Sequence, residues 1–270
     1  MQDIALIIST TLMYSTPLIF AALGGVFSEN SGIVNIGIEG MMTIGAFAGA
    51  AAGYMLGNPW LAFIIGGLAG GLFALVHALA TVTFNADHTI SGVAINLLAP
   101  GVALFASKIM FDGATMTPTI PMEQKIPRPL NGLFPSGSIL DTIFNAYATV
   151  FIAFILVAVT WYVLYKTKFG LRIRAVGEHP GAADTLGISV AKTRYAAVII
   201  SGILAGLGGA SMSLAVVSSF RPTLISGHGY IAMAAVIFGK WRPQWAMAAC
   251  LLFGFSTALS VYFGNPELPF

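Results

Sequence analysis

Charge is the first thing this chain has little of. Lys, Arg, Asp and Glu make up only 8% of its 270 residues, against about 25% in a soluble domain, which excludes an ordinary water-soluble fold. Cysteine is scarcer still: Cys250 is the single one and lies in an apolar run. No internal disulfide can form, the redox compartment is left open, and packing accounts for the residue. The histidines, His77, His88, His179 and His228, show no metal-ligand spacing. No G-x-S-x-G marks a nucleophile elbow, and no G-x-x-x-x-G-K-[ST] would let the chain bind ATP through a P-loop. The only early charge is Asp3, so the long first apolar run reads as a retained span rather than a secretory signal. With a net charge of +2 and its cations at the ends of apolar runs, the chain carries no nucleic-acid signal.

What is there instead is 57% apolar residues and 31 glycines. Runs of the ~20 residues needed to span a bilayer recur, and small residues let such helices pack closely. The expected fold is all-α: a polytopic membrane helix bundle of about eight hydrophobic segments in a single transmembrane domain over residues 1–270. The runs cover 4–27, 32–55, 60–84, 89–110, 143–165, 195–217, 228–239 and 244–264. Gly45, Gly49 and Gly53, the pairs Gly66/Gly70 and Gly67/Gly71, and Gly202/Gly206 mark packing faces. A polar turn is expected at Ser28 to Ser31. Residues 111–142 hold five prolines and scattered charge without apolar periodicity, and read as an extracellular loop. The stretch 228–239 spans only about 18 Å as a helix, too short for a ~30 Å core, so it reads as a possible half-helix.

The orienting feature is 166–194. Lys166, Lys168, Arg172, Arg174, Lys192 and Arg194 are half of the 12 cations and face only Glu178 and Asp184 there. Such a loop stays in the cytoplasm. Alternating outward from it places eight cations inside, with Lys240 and Arg242 added, and Lys108, Lys125, Arg128 and Arg221 outside, provided 228–239 crosses. Within the loop Pro180 opens a short helix, Ala182, Ala183 and Leu186 favour it, and Gly187 ends it. This cytoplasmic helix, held by two basic flanks, is suited to docking on a soluble partner.

Glu39 is the one acidic residue inside an apolar run, and a mid-membrane charge costs roughly 2.5–3.5 kcal/mol on insertion scales. Four residues from Asn35, it would share a helical face with it and line a solute pathway; alternatively it lies about 10 Å into the helix and reaches water. Asn96, beside Pro100, lines the same path or makes an interhelical hydrogen bond. Phe220, Tyr230, Trp241 and Trp245 read as packing or interfacial aromatics that are also able to stack on a planar solute.

Three segments in order, SENSGIVNIGIEGMMTIGAFAGA, TKFGLRIRAVGEHPGAADTLGISV and SGHGYIAMAAVIFGKWRP, resemble the permease subunits of ABC importers in the branched-chain amino acid, ribose and nucleoside group. VNIGIEGMM, with its acidic residue, is most similar to the nucleoside-type permeases. The resemblance implies a plasma or inner membrane importer subunit, bacterial by its relatives, that is no enzyme and holds no cofactor, ATP being bound by a partner. It also implies a coupling helix through which Arg172, Arg174, Glu178, Ala182, Ala183, Asp184 and Gly187 meet a separate ABC ATPase subunit. A second homologous permease chain in a heterodimer, and an extracellular binding lipoprotein or periplasmic binding protein, complete the implied assembly within membrane lipid. Relatives of this group continue past NPELPF, so a chain truncated after Phe270 is expected. Two other readings stay open: a permease for ribose or another simple sugar, and an ion-coupled secondary transporter using Glu39.

Overall fold

A computed structural model describes residues 2–135 and 138–264; the expectation that NPELPF lies outside falls on 265–270, beyond the described residues. Helices α1 (Gln2–Asn30), α2 (Ile38–Leu56), α3 (Pro59–Ala78), α4 (His88–Met110), α5 (Ile139–Phe144), α6 (Ala148–Lys166), α7 (Lys168–Glu178), α8 (Pro180–Thr185), α9 (Val190–Ser211), α10 (His228–Phe238) and α11 (Pro243–Phe263) follow one another without a strand among the described residues. Among the described residues, six helical stretches are long and apolar enough to cross a membrane: those of α1, α3, α4, α6, α9 and α11, α3 and α9 being prolonged by π turns to Thr83 and Val216. The 19-residue α2 and the 11-residue α10 bring the hydrophobic segments to eight.

Local chemistry sets several starts. Asn58 accepts from the N–H groups of Trp60 and Leu61 with Pro59 in the first turn of α3, and Asp87 accepts from those of Thr89 and Ile90 at α4. The amide of Ile90 first of all holds the exposed Asp87 carboxyl below its usual range.

α2, α3 and α9 form the centre. A β-carbon on Gly70 would come within 2.3 Å of the Gly202 carbonyl oxygen, and one on Gly45 within 2.4 Å of that of Gly206. Only glycine permits backbones this close, so the small-residue faces of the sequence meet as one seam. α2 is buried nearly all round, so its neighbours are helices and not lipid. α1 packs on α9 and α11, and α4 on α2. Leu97, Phe105 and Ile109 of α4 remain exposed, as a lipid-facing surface requires.

The two ends of the bundle are tied differently. At the end opposite the basic segment, Thr117 and Ile120 donate backbone N–H groups to Phe220 and Ser218, and Phe220 N–H donates to Thr117 Oγ1. At the basic end Trp241 Nε1 donates to Glu29 and Asn30 Nδ2 to the Trp241 carbonyl at 3.2 Å. The chain therefore crosses between Phe220 and Trp241 as an irregular segment followed by α10. At about 16 Å for 11 residues, α10 is indeed a half-helix.

Three local expectations change. α1 runs through Ser28 and Asn30, so the polar turn shrinks to Ser31 and Gly32, where φ is +84°. The basic segment holds two helices rather than one: α7 buries Gly170, Ile173 and Val176 along one side before α8. And α2 begins at Ile38, not near Gly32, leaving 33–37 irregular.

Candidate translocation site and coupling surface

Glu39 lies in the first turn of α2, and its side chain reaches the start of α10. Gly227 N–H donates to Oε1 at 2.6 Å and Gly229 N–H to Oε2 at 2.7 Å. Both helices thus turn their positive ends toward one carboxylate. Amides and helix dipoles, not a cation, compensate the charge whose cost the sequence poses.

Asn96 joins the same cluster from α4. Its Oδ1 accepts from Gly40 N–H at 2.8 Å, and its Nδ2 donates to the Ile36 carbonyl at 2.9 Å and to the Tyr230 hydroxyl at 3.0 Å. It bridges the irregular 33–37 segment and α10, which exceeds a simple helix-to-helix bond. Tyr230 is 48% exposed, and Ser226 beside it is exposed at φ +34°. A polar group at this depth cannot face lipid cheaply.

Asn35 departs from expectation. It precedes α2 and so shares no helical face with Glu39; at 1% exposure it donates to Ser201 Oγ of α9 at 2.9 Å and to Met41 Sδ at 3.4 Å. The physical reason is the break after Gly32, which turns the amide toward the centre. Asn35 holds the irregular segment on α9 rather than joining the Glu39 cluster.

On the basic end, Arg172, Glu178, Ala182, Asp184 and Gly187 are exposed, and Gly187 ends α8 at φ +76°. Ala183 is buried, and Arg174 turns inward: Nε donates to the Leu164 carbonyl at 3.1 Å and the guanidinium lies 4.9 Å from the Tyr165 ring centre. Leu186, read from the sequence as a helix former and not as a contact residue, is 80% exposed at the end of α8. An apolar side chain in water at the tip of a polar helix is the signal that composition alone dilutes.

Behind this surface is a joint. A β-carbon on Gly177 of α7 would come within 2.1 Å of the Asn30 carbonyl oxygen, and Arg194 Nε of α9 donates to the Ser31 carbonyl at 3.3 Å. α7 and α9 therefore grip the turn that leads directly into 33–37 and Glu39. Neither Gly177 nor Arg194 stood out as more than loop composition.

Broken helices around a polar cluster at depth, with amphipathic helices on the basic side, define an integral, multi-pass membrane transport subunit. Residues 7–269 match the family described as branched-chain amino acid transport system / permease component, and the chain belongs to that family. It is 47% identical to the guanosine ABC transporter permease protein NupQ of Bacillus subtilis, over 96% of this chain and 83% of that one. It is 43% identical to the nucleoside ABC transporter permease protein NupC of Lactococcus lactis, over 98% and 84%. More distantly, it is 24% identical to the glucose ABC transporter permease protein TsgB13 of Haloferax volcanii, over 96% and 71%. No solved structure matches.

Proposed function

We propose that this chain forms one half of the nucleoside pathway of an ATP-driven importer. The carrying observation is the Glu39, Asn96 and Tyr230 cluster: polar, only partly covered, and built where two helices are interrupted between the ends of the bundle. Lipid cannot satisfy such groups, whereas a polar solute or a second permease chain can. The nucleoside assignment rests on the Bacillus and Lactococcus relatives at 47% and 43% identity. Tyr230 offers a ring face to a planar base, and Asn96 holds its hydroxyl in place.

In this reading the partners are a separate ABC ATPase, a second related permease chain and an outer solute-binding protein. This chain holds no nucleotide; hydrolysis takes place in the ATPase. The ATPase groove receives α8 with Leu186 as its apolar anchor and Arg172, Glu178, Ala182, Asp184 and Gly187 around it. Ala183 and Arg174 act from behind, fixing α8 and α7 on the bundle. Displacement of α7 passes through Gly177 to the turn at Asn30 to Gly32, and from there to Glu39. Asn35 keeps that segment on α9.

The test is uptake of radiolabelled guanosine, ribose and glucose by cells with and without the gene, with the proton gradient collapsed and ATP maintained. Gene-dependent guanosine uptake that survives collapse is expected. Sugar uptake in its place would move the solute to the class named for the Haloferax relative, and loss with the gradient would overturn the ATP-driven reading.

A further inference from the structure

Two clefts open side by side at the basic end and share Arg242. One, of about 700 Å³ between α10 and α11, is lined by Lys240 and Arg242 at its rim and by Phe238, Trp245 and Leu252 along its wall. The other, of about 450 Å³, is lined by Lys166, Arg174 and Arg242 with Trp161 and Tyr165. Lys166 and Arg174 rest over the rings of Trp161 and Tyr165 at 5.6 and 4.9 Å. None of these four cations has a carboxylate partner among the described residues. Like charges gathered without a counter-ion repel one another, and the arrangement favours an anion.

From this geometry we infer a binding site for one anionic phospholipid of the inner leaflet, its phosphate at Arg242 between Lys240 and the Lys166/Arg174 pair, and an acyl chain along Phe238 and Leu252. The placement argues for a lipid rather than a free anion. The apolar wall continues from the cations into α10 and α11, which is the order of headgroup and hydrocarbon, and Trp161, Trp245 and Tyr165 sit at the level where amphipathic rings collect in a bilayer. Basic pockets between spans on the cytoplasmic side suit anionic headgroups. The site adjoins the α10 end, where Lys240 and Trp241 hold positive φ of +49° and +57°, so an occupant would brace the turn that Trp241 fastens to Glu29.

The experiment is native mass spectrometry of the purified complex titrated with phosphatidylglycerol or phosphatidylcholine of the same chain length, and with inorganic phosphate as a separate arm. One phosphatidylglycerol retained per chain is expected, with affinity falling about fivefold for each cation removed in Lys240→Gln and Arg242→Gln. Leu252→Trp keeps every cation and fills the wall, so it too should expel the lipid; Lys125→Gln with Arg128→Gln on the opposite side should not. Equal retention of the two lipids, or competition by free phosphate with Leu252→Trp without effect, would overturn the proposal. So would a change in the pairing of permease chains with the lipid count unaltered, which would make the cleft a contact for the second chain.

Discussion

Glu39→Gln tests the centre of the site. The carboxylate accepts two backbone N–H groups at 2.6 and 2.7 Å; bonds to a charged group contribute about 1.5–3 kcal/mol each. The amide keeps one acceptor and turns an NH2 donor toward the other N–H, so one bond is lost and its donor left unpaired. Loss of the charge between two helix N-termini removes a further amount of about 0.3–1 kcal/mol. A local weakening of about 3 kcal/mol follows. It falls on the joint between α2 and α10 and not on the glycine seam of α2, α3 and α9, so the bundle should assemble. At about 1.4 kcal/mol per decade, saturating uptake in proteoliposomes should drop by about two orders of magnitude, with the complex eluting normally on size exclusion. Glu39→Asp keeps the charge but is one methylene shorter; it can reach one amide and should fall between. Uptake by Glu39→Gln within twofold of wild type would refute the reasoning and leave Glu39 a bystander.

The other perturbations probe the flanks of the same path. Tyr230→Phe deletes the hydroxyl held by Asn96 at 3.0 Å, a neutral bond of about 0.5–1.5 kcal/mol; KM for the nucleoside should rise a few-fold while maximal uptake holds. Gly177→Ala forces a methyl onto the Asn30 carbonyl, and should lower uptake while the ATPase still co-purifies; retained uptake would remove this contact from the transmission path. Leu186→Asp puts a charge on the exposed tip of α8 and should cost about 2 kcal/mol or more as an interface anchor, read as loss of the co-purifying ATPase. Arg172→Glu should weaken that association more at low salt than at high.

Runs, glycine faces and the basic segment were legible because each is a local pattern. Gly66/Gly70 and Gly202/Gly206 announced close packing, and they meet across α3 and α9. The shortness of 228–239 announced a half-helix. The interruption before α2 was not legible, since VNIGIEG is apolar enough to continue a helix and the break is held by distant groups: Ser201 on Asn35, Asn96 on Ile36 and Gly40, Gly227 and Gly229 on Glu39. Periodicity does not report such partners. α7 carries a fainter signal: Gly170, Ile173 and Val176 recur every third residue between basic ones, a pattern that the charge obscures.

The two interruptions are more than separate accommodations of polar groups. At the basic end the turn after α1 is gripped by Gly177 and Arg194, and the end of α10 is fastened to Glu29 and Asn30 of that same α1 terminus. From there 33–37 and α10 run separately into the bundle and meet again at Glu39 and Asn96. The contacts close a loop with one joint at the coupling surface and one at the solute cluster. In the proposed mechanism a shift of α7 moves one arm of that loop directly and the other through Trp241. Any unequal response then reaches the far joint, where the two short hydrogen bonds to Glu39 hold α2 and α10 together. In that proposed mechanism the coupling of the two arms depends on the joint that Glu39→Gln weakens, a role that would offset the insertion cost of an acidic residue there.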